Sequence, residues 1–73
     1  MTDQHREPYS ILRRKQVQNR TGLSRSTIYE RVKAGTFPRP ISLGPRTVGW
    51  LEAEIDHWLS ERIAASRINT DRS

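Results

Sequence analysis

The side chains best suited to chemistry in this sequence are hydrogen-bonding groups gathered between positions 25 and 33. An arginine there can donate two parallel hydrogen bonds to the edge of a guanine, and hydroxyl groups can bond to several bases. The stretch is therefore suited to recognising a polar surface by hydrogen bonds and charge. The candidate side chains are Arg25, Ser26, Thr27, Tyr29, Glu30 and Lys33.

A short helix with clear end signals must position these groups. Ser24 is a natural N-cap, and Gly35 can end the helix because glycine tolerates positive φ. Ile28 and Val32 lie one turn apart and predict a narrow buried stripe, which leaves a wide polar face. A Gly-containing turn over residues 21–23 joins this helix to an earlier one. The pair fits a helix-turn-helix whose second helix enters the major groove of DNA, although an ordinary amphipathic hairpin with its polar face in water is the alternative.

The charge distribution favours the DNA interpretation. The net charge is +5, yet residues 11–50 carry nine Lys and Arg against the single acid Glu30, a balance of +8. Such a surface attracts a polyanion by releasing its counterions. A membrane surface fits less well, since the basic block has no broad apolar face to insert.

The first helix of the pair is predicted over residues 14–21, with Val17 as its main apolar group. Arg14 and Lys15 stand at its start, where the helix dipole favours acids, so a phosphate bound there would relieve the conflict. Ile11 and Leu12 before it are expected to pack on the core as an extended segment.

A short β-hairpin is predicted after the second helix. Alternation places Ile41 and Leu43 inward on one strand and Val48 and Trp50 inward on the other. The Gly-Pro turn between them carries Arg46, so the hairpin is interpreted as a wing whose tip reaches a phosphate or the minor groove.

A third helix is predicted from Leu51 to about Ala65. Its apolar positions follow a helical period, and its acids lie in the first turns, where the dipole favours them. We therefore expect it to form core on one side and to face away from DNA on the other, with Trp50 and Trp58 both buried. Its apolar positions are Leu51, Ile55, Trp58, Leu59 and Ile63.

These elements predict a mainly α fold with a small β-hairpin, a winged helix-turn-helix of three helices plus wing. Residues 1–10 are expected to be a disordered N-terminal arm, residues 11–66 the DNA-binding domain, and residues 67–73 a frayed tail. The absence of cysteine excludes disulfides and suits the cytosol, where we expect the protein to stay because no signal peptide or membrane span is visible.

Catalysis is not expected. His5 lies in the N-terminal arm and His57 on the polar side of an acidic helix, so neither has a partner at a fixed spacing. The acids Glu52, Glu54 and Asp56 lack a third ligand on a shared face, and no Gly-rich phosphate loop is present. We therefore predict neither a metal nor another cofactor.

Several motifs together resemble the AlpA family of small phage-related transcriptional regulators, a winged helix-turn-helix group shared with MerR-type regulators and phage excisionases. The resemblance covers about residues 12–65. It rests on TGLSRSTIY over 21–29, GTFPRP over 35–40, Leu43-Gly44, Trp50, and EIDHWL over 54–59.

The resemblance implies DNA binding at promoters or attachment sites of mobile elements, with Arg25, Ser26, Thr27 and Tyr29 in the groove and Arg46 on the wing. The alternative function is that of an excisionase-like factor, which bends attachment-site DNA and assists an integrase. A less favoured alternative is a protein-binding adaptor that uses the apolar side of the third helix at Trp58. The expected partner is double-stranded DNA, with RNA polymerase or a phage integrase as candidate protein partners. A domain of this size contacts about one half of a DNA-binding site. We therefore expect the protein to bind DNA as a dimer or as cooperative copies on repeated sites.

Overall fold

The structure, a computed structural model, describes residues 9–71, with side chains described through Arg67. The predicted fold class is confirmed, since three helices surround a small antiparallel sheet. Of the predicted N-terminal arm, only Tyr9 and Ser10 are described; the rest of that prediction lies outside the described residues. The elements are β1 (Ile11–Leu12), α1 (Arg14–Thr21), α2 (Arg25–Ala34), β2 (Ile41–Gly44), β3 (Thr47–Leu51) and α3 (Glu52–Asp71).

The turn between α1 and α2 forms as its residues predict. Gly22 has φ 77° and its N–H donates to the Gln18 carbonyl at 2.8 Å. The Thr21 hydroxyl donates to the Val17 carbonyl and accepts from the Leu23 amide, so it closes the end of α1 and fixes the turn. Gly35 ends α2 with φ 82°. Both glycines occupy the left-handed region, which other residues reach only at a cost.

The sheet has three strands in the order β1-β3-β2, both pairs antiparallel. The segment Ile11–Leu12, predicted as an extended lead-in, is a strand that extends the hairpin. Leu12 pairs with Trp50, and both side chains are buried. The wing is therefore anchored to the domain through its second strand.

The prediction that Ile41 and Leu43 point inward is wrong. Their side chains are 36% and 44% exposed. Ile41 pairs with Gly49, and directly paired residues share one face of a sheet, so Ile41 lies on the face opposite Trp50. Alternation within each strand could not reveal which residues would pair, and a register difference of one residue reverses the face.

The side chains of Ile11 and Leu43 occupy the space that a Cβ at position 49 would need, which favours glycine there. A Cβ at this position would lie 2.5 Å from Ile11 Cγ2 and 3.1 Å from Leu43 Cδ1. Both aliphatic side chains approach β3 at Gly49, on the sheet face opposite Trp50. That face therefore has a small apolar cluster of its own.

The core takes one buried side chain from almost every segment. Trp50 and Ile28 are its largest fully buried members, and the Trp50 indole N–H donates to the Pro38 carbonyl at 2.9 Å. Trp58, predicted to be buried, is only half-buried; its ring meets Phe37 edge-on at 4.7 Å and its N–H donates to the Thr36 carbonyl. The buried side chains are Leu12, Val17, Ile28, Phe37, Trp50 and Ile55.

Helix α3 differs from its prediction at both ends. Leu51 belongs to β3, and the helix begins at Glu52, whose N–H donates to the Ser10 carbonyl at 2.8 Å. The helix continues to Asp71 rather than ending near Ala65, so it includes most of the segment predicted as a frayed tail. Ile63, expected in the core, is 48% exposed because the packed part of the helix ends at Leu59. None of the described helices is both long and apolar enough to cross a bilayer.

Candidate nucleic-acid interface

Helix α2 is held by a narrow apolar edge and presents the rest of its surface. Ile28 is fully buried and Val32 half-buried, as predicted. The exposed side chains on the helix include five of the predicted recognition residues, namely Arg25, Ser26, Tyr29, Glu30 and Lys33. A helix fixed from one side in this way can enter a groove with its polar side leading.

Thr27, the sixth predicted recognition residue, has a structural role as well. The Ser24 hydroxyl accepts from the Thr27 amide at 3.2 Å and lies 3.0 Å from the Thr27 hydroxyl. Thr27 is half-buried and completes the N-cap of α2. A serine cap of this kind stabilises a helix by about 1 kcal/mol, and the contact between the Ser24 and Thr27 hydroxyls holds the capping side chain in place.

Tyr29 links α2 to the base of the wing. Its ring lies 6.3 Å from the Trp50 ring at an angle of 57°, and the Arg25 guanidinium lies 5.9 Å from its centroid. Arg25 thus has a cation–π contact on the solvent side while Trp50 supports the tyrosine from the core. Trp50 therefore positions Tyr29, and the Tyr29 ring in turn positions Arg25.

A concavity of about 410 Å³ joins three elements at this surface. We call it the basic cradle. The start of α1, helix α2 and the wing each contribute to its lining, so residues far apart in sequence meet there. The lining residues are Arg13, Arg14, Lys15, Tyr29, Arg46 and Val48. Four of the predicted site residues, Arg14, Lys15, Tyr29 and Arg46, are thus brought together.

Arg13 is the one basic lining residue that the sequence prediction did not select as a site residue. Its Nε donates to the Val48 carbonyl at 3.1 Å, and its backbone N–H donates to Gln16 Oε1 at 2.8 Å. It therefore fastens the second wing strand to the start of α1. Its place directly before Arg14 was the available signal, but the contact spans 35 residues of sequence and depends on the fold.

The wing tip holds Arg46 in an unusual backbone conformation. Arg46 has φ 56°, the only positive φ at a non-glycine residue among those described. Asn or Gly would adopt this conformation at lower cost, and strained residues are concentrated at functional sites. The Thr47 hydroxyl donates to the Pro45 carbonyl at 3.0 Å and stiffens the turn.

Arg20 and the basic residues of the cradle differ in their ionic partners. Arg20 donates two hydrogen bonds to Glu52 Oε2, each at 2.8 Å, and lies 3.8 Å from Asp56. By contrast, the cradle cations and Arg25 form no salt bridge with any carboxylate of the described residues. Arg14 instead donates to the neutral Gln18 side chain at 3.0 Å. The cradle therefore keeps its positive charge, and the helix dipole of α1 adds to it because its first turn contains no acid.

Not every predicted residue reaches the cradle. Ser26, Glu30 and Lys33 are exposed on α2 but do not line the concavity. Their positions leave them on the surface of the helix that would face a groove or its borders.

The fold and this surface define a class: a small winged helix-turn-helix domain with a cationic recognition surface. The sequence model of the family described as prophage CP4-57 regulatory protein (AlpA) matches residues 10–63. The chain belongs to the AlpA family.

Two relatives support this membership. The chain is 44% identical over 64 residues to the DNA-binding transcriptional activator AlpA of Escherichia coli K12, a match that covers 80% of this chain and 91% of the relative. It is 45% identical over 61 residues to an uncharacterized protein, ORF88, of Enterobacteria phage P4, covering 84% and 69% respectively.

Proposed function

We propose that this protein is a sequence-specific, DNA-binding transcriptional regulator of a prophage or related mobile element. The observation that carries the proposal is the basic cradle, in which cations from the start of α1 and the wing form no salt bridge with a described carboxylate and lie beside the exposed side of α2. The Escherichia coli relative is named as a DNA-binding transcriptional activator, and this similarity supports the same function.

In this proposal α2 reads bases from the major groove. Arg25 and Ser26 stand in the first turn and Tyr29 in the second, where a recognition helix makes its base contacts. Arg25 would donate two hydrogen bonds from its guanidinium group to guanine, and Tyr29 would limit the rotamers of Arg25 through the ring contact. Glu30 would accept from a cytosine amino group, and Lys33 would meet phosphate near the end of the helix.

The cradle would grip the DNA backbone beside that groove. Arg14 and Lys15 would bind a phosphate where the start of α1 is electropositive, and Arg46 would contact a phosphate or enter the minor groove. These contacts carry no sequence information directly, but they fix the register in which α2 meets the bases.

One such domain covers about one half-site. We therefore propose that two or more copies act on repeats spaced by about 10 bp or a multiple of it. A second protein, RNA polymerase or an integrase, would be contacted by the DNA-bound copies.

Binding-site selection from random DNA, performed at two salt concentrations with the wild type and Arg25→Ala, tests the proposal. The wild type should select a motif, repeated at helical spacing. Arg25→Ala should lose about 1–3 kcal/mol on that motif and relax the preference at one base pair, because only that bidentate contact is removed.

Lys33→Ala is the matched control on the same helix. It should weaken binding to selected and random DNA equally and lower the salt slope by about 1. If the wild type selects no motif at either salt concentration, the regulator proposal is refuted. If Arg25→Ala selects the same motif with the same stringency, Arg25 contacts phosphate instead of a base.

A further inference from the structure

A second concavity, of about 600 Å³, lies between residues 38–41 and one side of α3. We call it the α3 groove. Its apolar lining residues, which we call the floor, are Pro38, Pro40, Ile41, Ala53 and Trp58. Its two carboxylates, Glu54 and Glu61, are exposed, and we call the charged part of the lining the rim. A neighbouring concavity shares Pro38, Trp58 and Glu61, so the depression continues along α3 toward Arg62.

The groove and the basic cradle share no lining residue. Trp50 stands between them: its ring meets Tyr29 of the cradle, and its indole N–H donates to Pro38 of the groove. DNA held by α2 and the cradle would therefore leave the groove uncovered.

The groove exposes apolar surface beside the free edge of the sheet. Strand β2 is an outer strand, and Ile41 and Leu43 present about a third or more of their surfaces to solvent. Apolar groups gathered next to a groove and rimmed by polar residues are typical of a protein-binding site.

The charges on the rim identify the kind of occupant. Glu54 is exposed and has no salt bridge to a described residue, whereas His57 lies 3.1 Å from Glu61. Arg39 is the only Lys or Arg that lines the groove in the described part of the chain. The two carboxylates repel phosphate, so nucleic acid is a poor occupant, and they favour a peptide whose apolar side chains are flanked by Lys or Arg.

We propose that the α3 groove docks a short segment of a partner protein, apolar at its centre and basic at its flanks, while the protein is bound to DNA. The apolar side chains would enter the floor beside Trp58, and the flanking cations would meet Glu54 and Glu61. The docking site is independent of the DNA surface, so each can be removed without the other.

Two labelled peptides test this directly, one with a Leu-Ile-Leu centre flanked by two lysines on each side and one with glutamates in place of the lysines. Titration of the full chain, followed by fluorescence anisotropy and by the indole N–H signals in NMR spectra, should show the lysine peptide binding about tenfold or more tightly. The Trp58 indole signal should move, and the amide signals of Arg14 and Arg46 should not.

Ala53→Arg and Ala64→Arg form a matched pair, because both residues are exposed on α3 and only Ala53 lines the groove. Ala53→Arg fills the groove and adds positive charge, so it should weaken lysine-peptide binding about tenfold or more. Ala64→Arg should leave that binding within about twofold. The two variants carry the same added charge, so they should bind random DNA equally, and an unchanged thermal transition in circular dichroism shows that both are folded.

Three results would overturn the proposal. The first is equal affinity for the two peptides, or no binding of either at millimolar concentration. The second is an equal effect of the two arginine substitutions. The third is a concentration-dependent dimer in analytical ultracentrifugation that Ala53→Arg abolishes, since that result would assign the groove to a second copy of this chain.

Discussion

Arg14 and Arg20 belong to the same eight-residue helix, α1, but meet opposite electrostatic surroundings. Arg14 lines the basic cradle and donates to the neutral side chain of Gln18, and it has no salt bridge to any carboxylate of the described residues. Arg20, near the other end, is bonded to Glu52 and lies close to Asp56 of α3. One end of the helix therefore adds charge to a surface, while the other end joins α1 to α3.

This difference shows why a count of basic residues overstates the charge that is free for DNA. Both arginines contribute equally to the balance of +8 between residues 11 and 50. The fold assigns one to an intramolecular ion pair and leaves the other available. Four changes test the packing and the charges of these regions, beginning with Trp50, the buried residue that contacts both the basic cradle and the α3 groove.

Trp50→Ala should have the largest effect, because this fully buried ring supports Tyr29 on the cradle side and bonds to Pro38 on the other. Loss of a buried tryptophan costs about 3–5 kcal/mol, comparable to the whole stability of so small a domain. Trp58→Ala should cost less, since that ring is only half-buried. Urea denaturation followed by circular dichroism measures both, and a larger loss for Trp58→Ala would reverse the order of packing described here.

Gly49→Ala should destabilise the sheet that carries the wing. The added Cβ would overlap Ile11, and overpacking of this kind costs about 1–3 kcal/mol. Ile11→Ala should remove the overlapping methyl group, so the double variant should lose less than the sum of the two single losses. Additive losses in thermal denaturation would mean that the two residues do not meet.

Arg46→Asn should change stability and DNA binding in opposite directions. Asparagine tolerates the positive φ at the wing tip, so the melting temperature should rise, by an amount equivalent to at most about 1 kcal/mol. DNA binding should weaken, and its salt slope should fall by about 1, because the DNA-backbone contact proposed for Arg46 would be lost.

Arg46→Lys is the control, since it keeps both the charge and the backbone strain. It should retain the salt slope and the melting temperature of the wild type. A lower melting temperature for Arg46→Asn would show that the arginine contributes to the fold rather than only to binding.

Local signals in the sequence were sufficient for the helix-turn-helix. Gly22, Ser24 and Gly35 act on the residues beside them, and each occupies the turn or cap predicted for it. The family resemblance, carried by motifs spread over the chain, was also confirmed. By contrast, the inward placement of Ile41 and Leu43 failed because strand register depends on a partner strand and not on alternation alone.

The candidate site was likewise predictable in part: its residues could be selected from local sequence, but the contacts between distant residues could not. Arg14, Lys15, Tyr29 and Arg46 could be selected from their types and from the elements that carry them, and they converge on one concavity. Arg13 and the pairing of Arg20 were missed, since each contact joins residues more than 30 positions apart. The assignment of these residues to bases or phosphates stays a prediction.

The smallest expected effect is also the most direct test of the comparison between the two ends of α1. Arg14→Ala removes a cradle cation that has no salt bridge to a described carboxylate, so the slope of log affinity against log salt concentration should fall by about 1. Arg20→Ala removes a cation that is already paired with Glu52, so the slope should stay unchanged, while the stability should fall by at most about 1 kcal/mol because the pair is exposed. Both variants have the same net charge, so a nonspecific effect of total charge would lower both slopes equally. That result would contradict the proposal that the DNA meets the cradle end of α1 and not the α1–α3 contact.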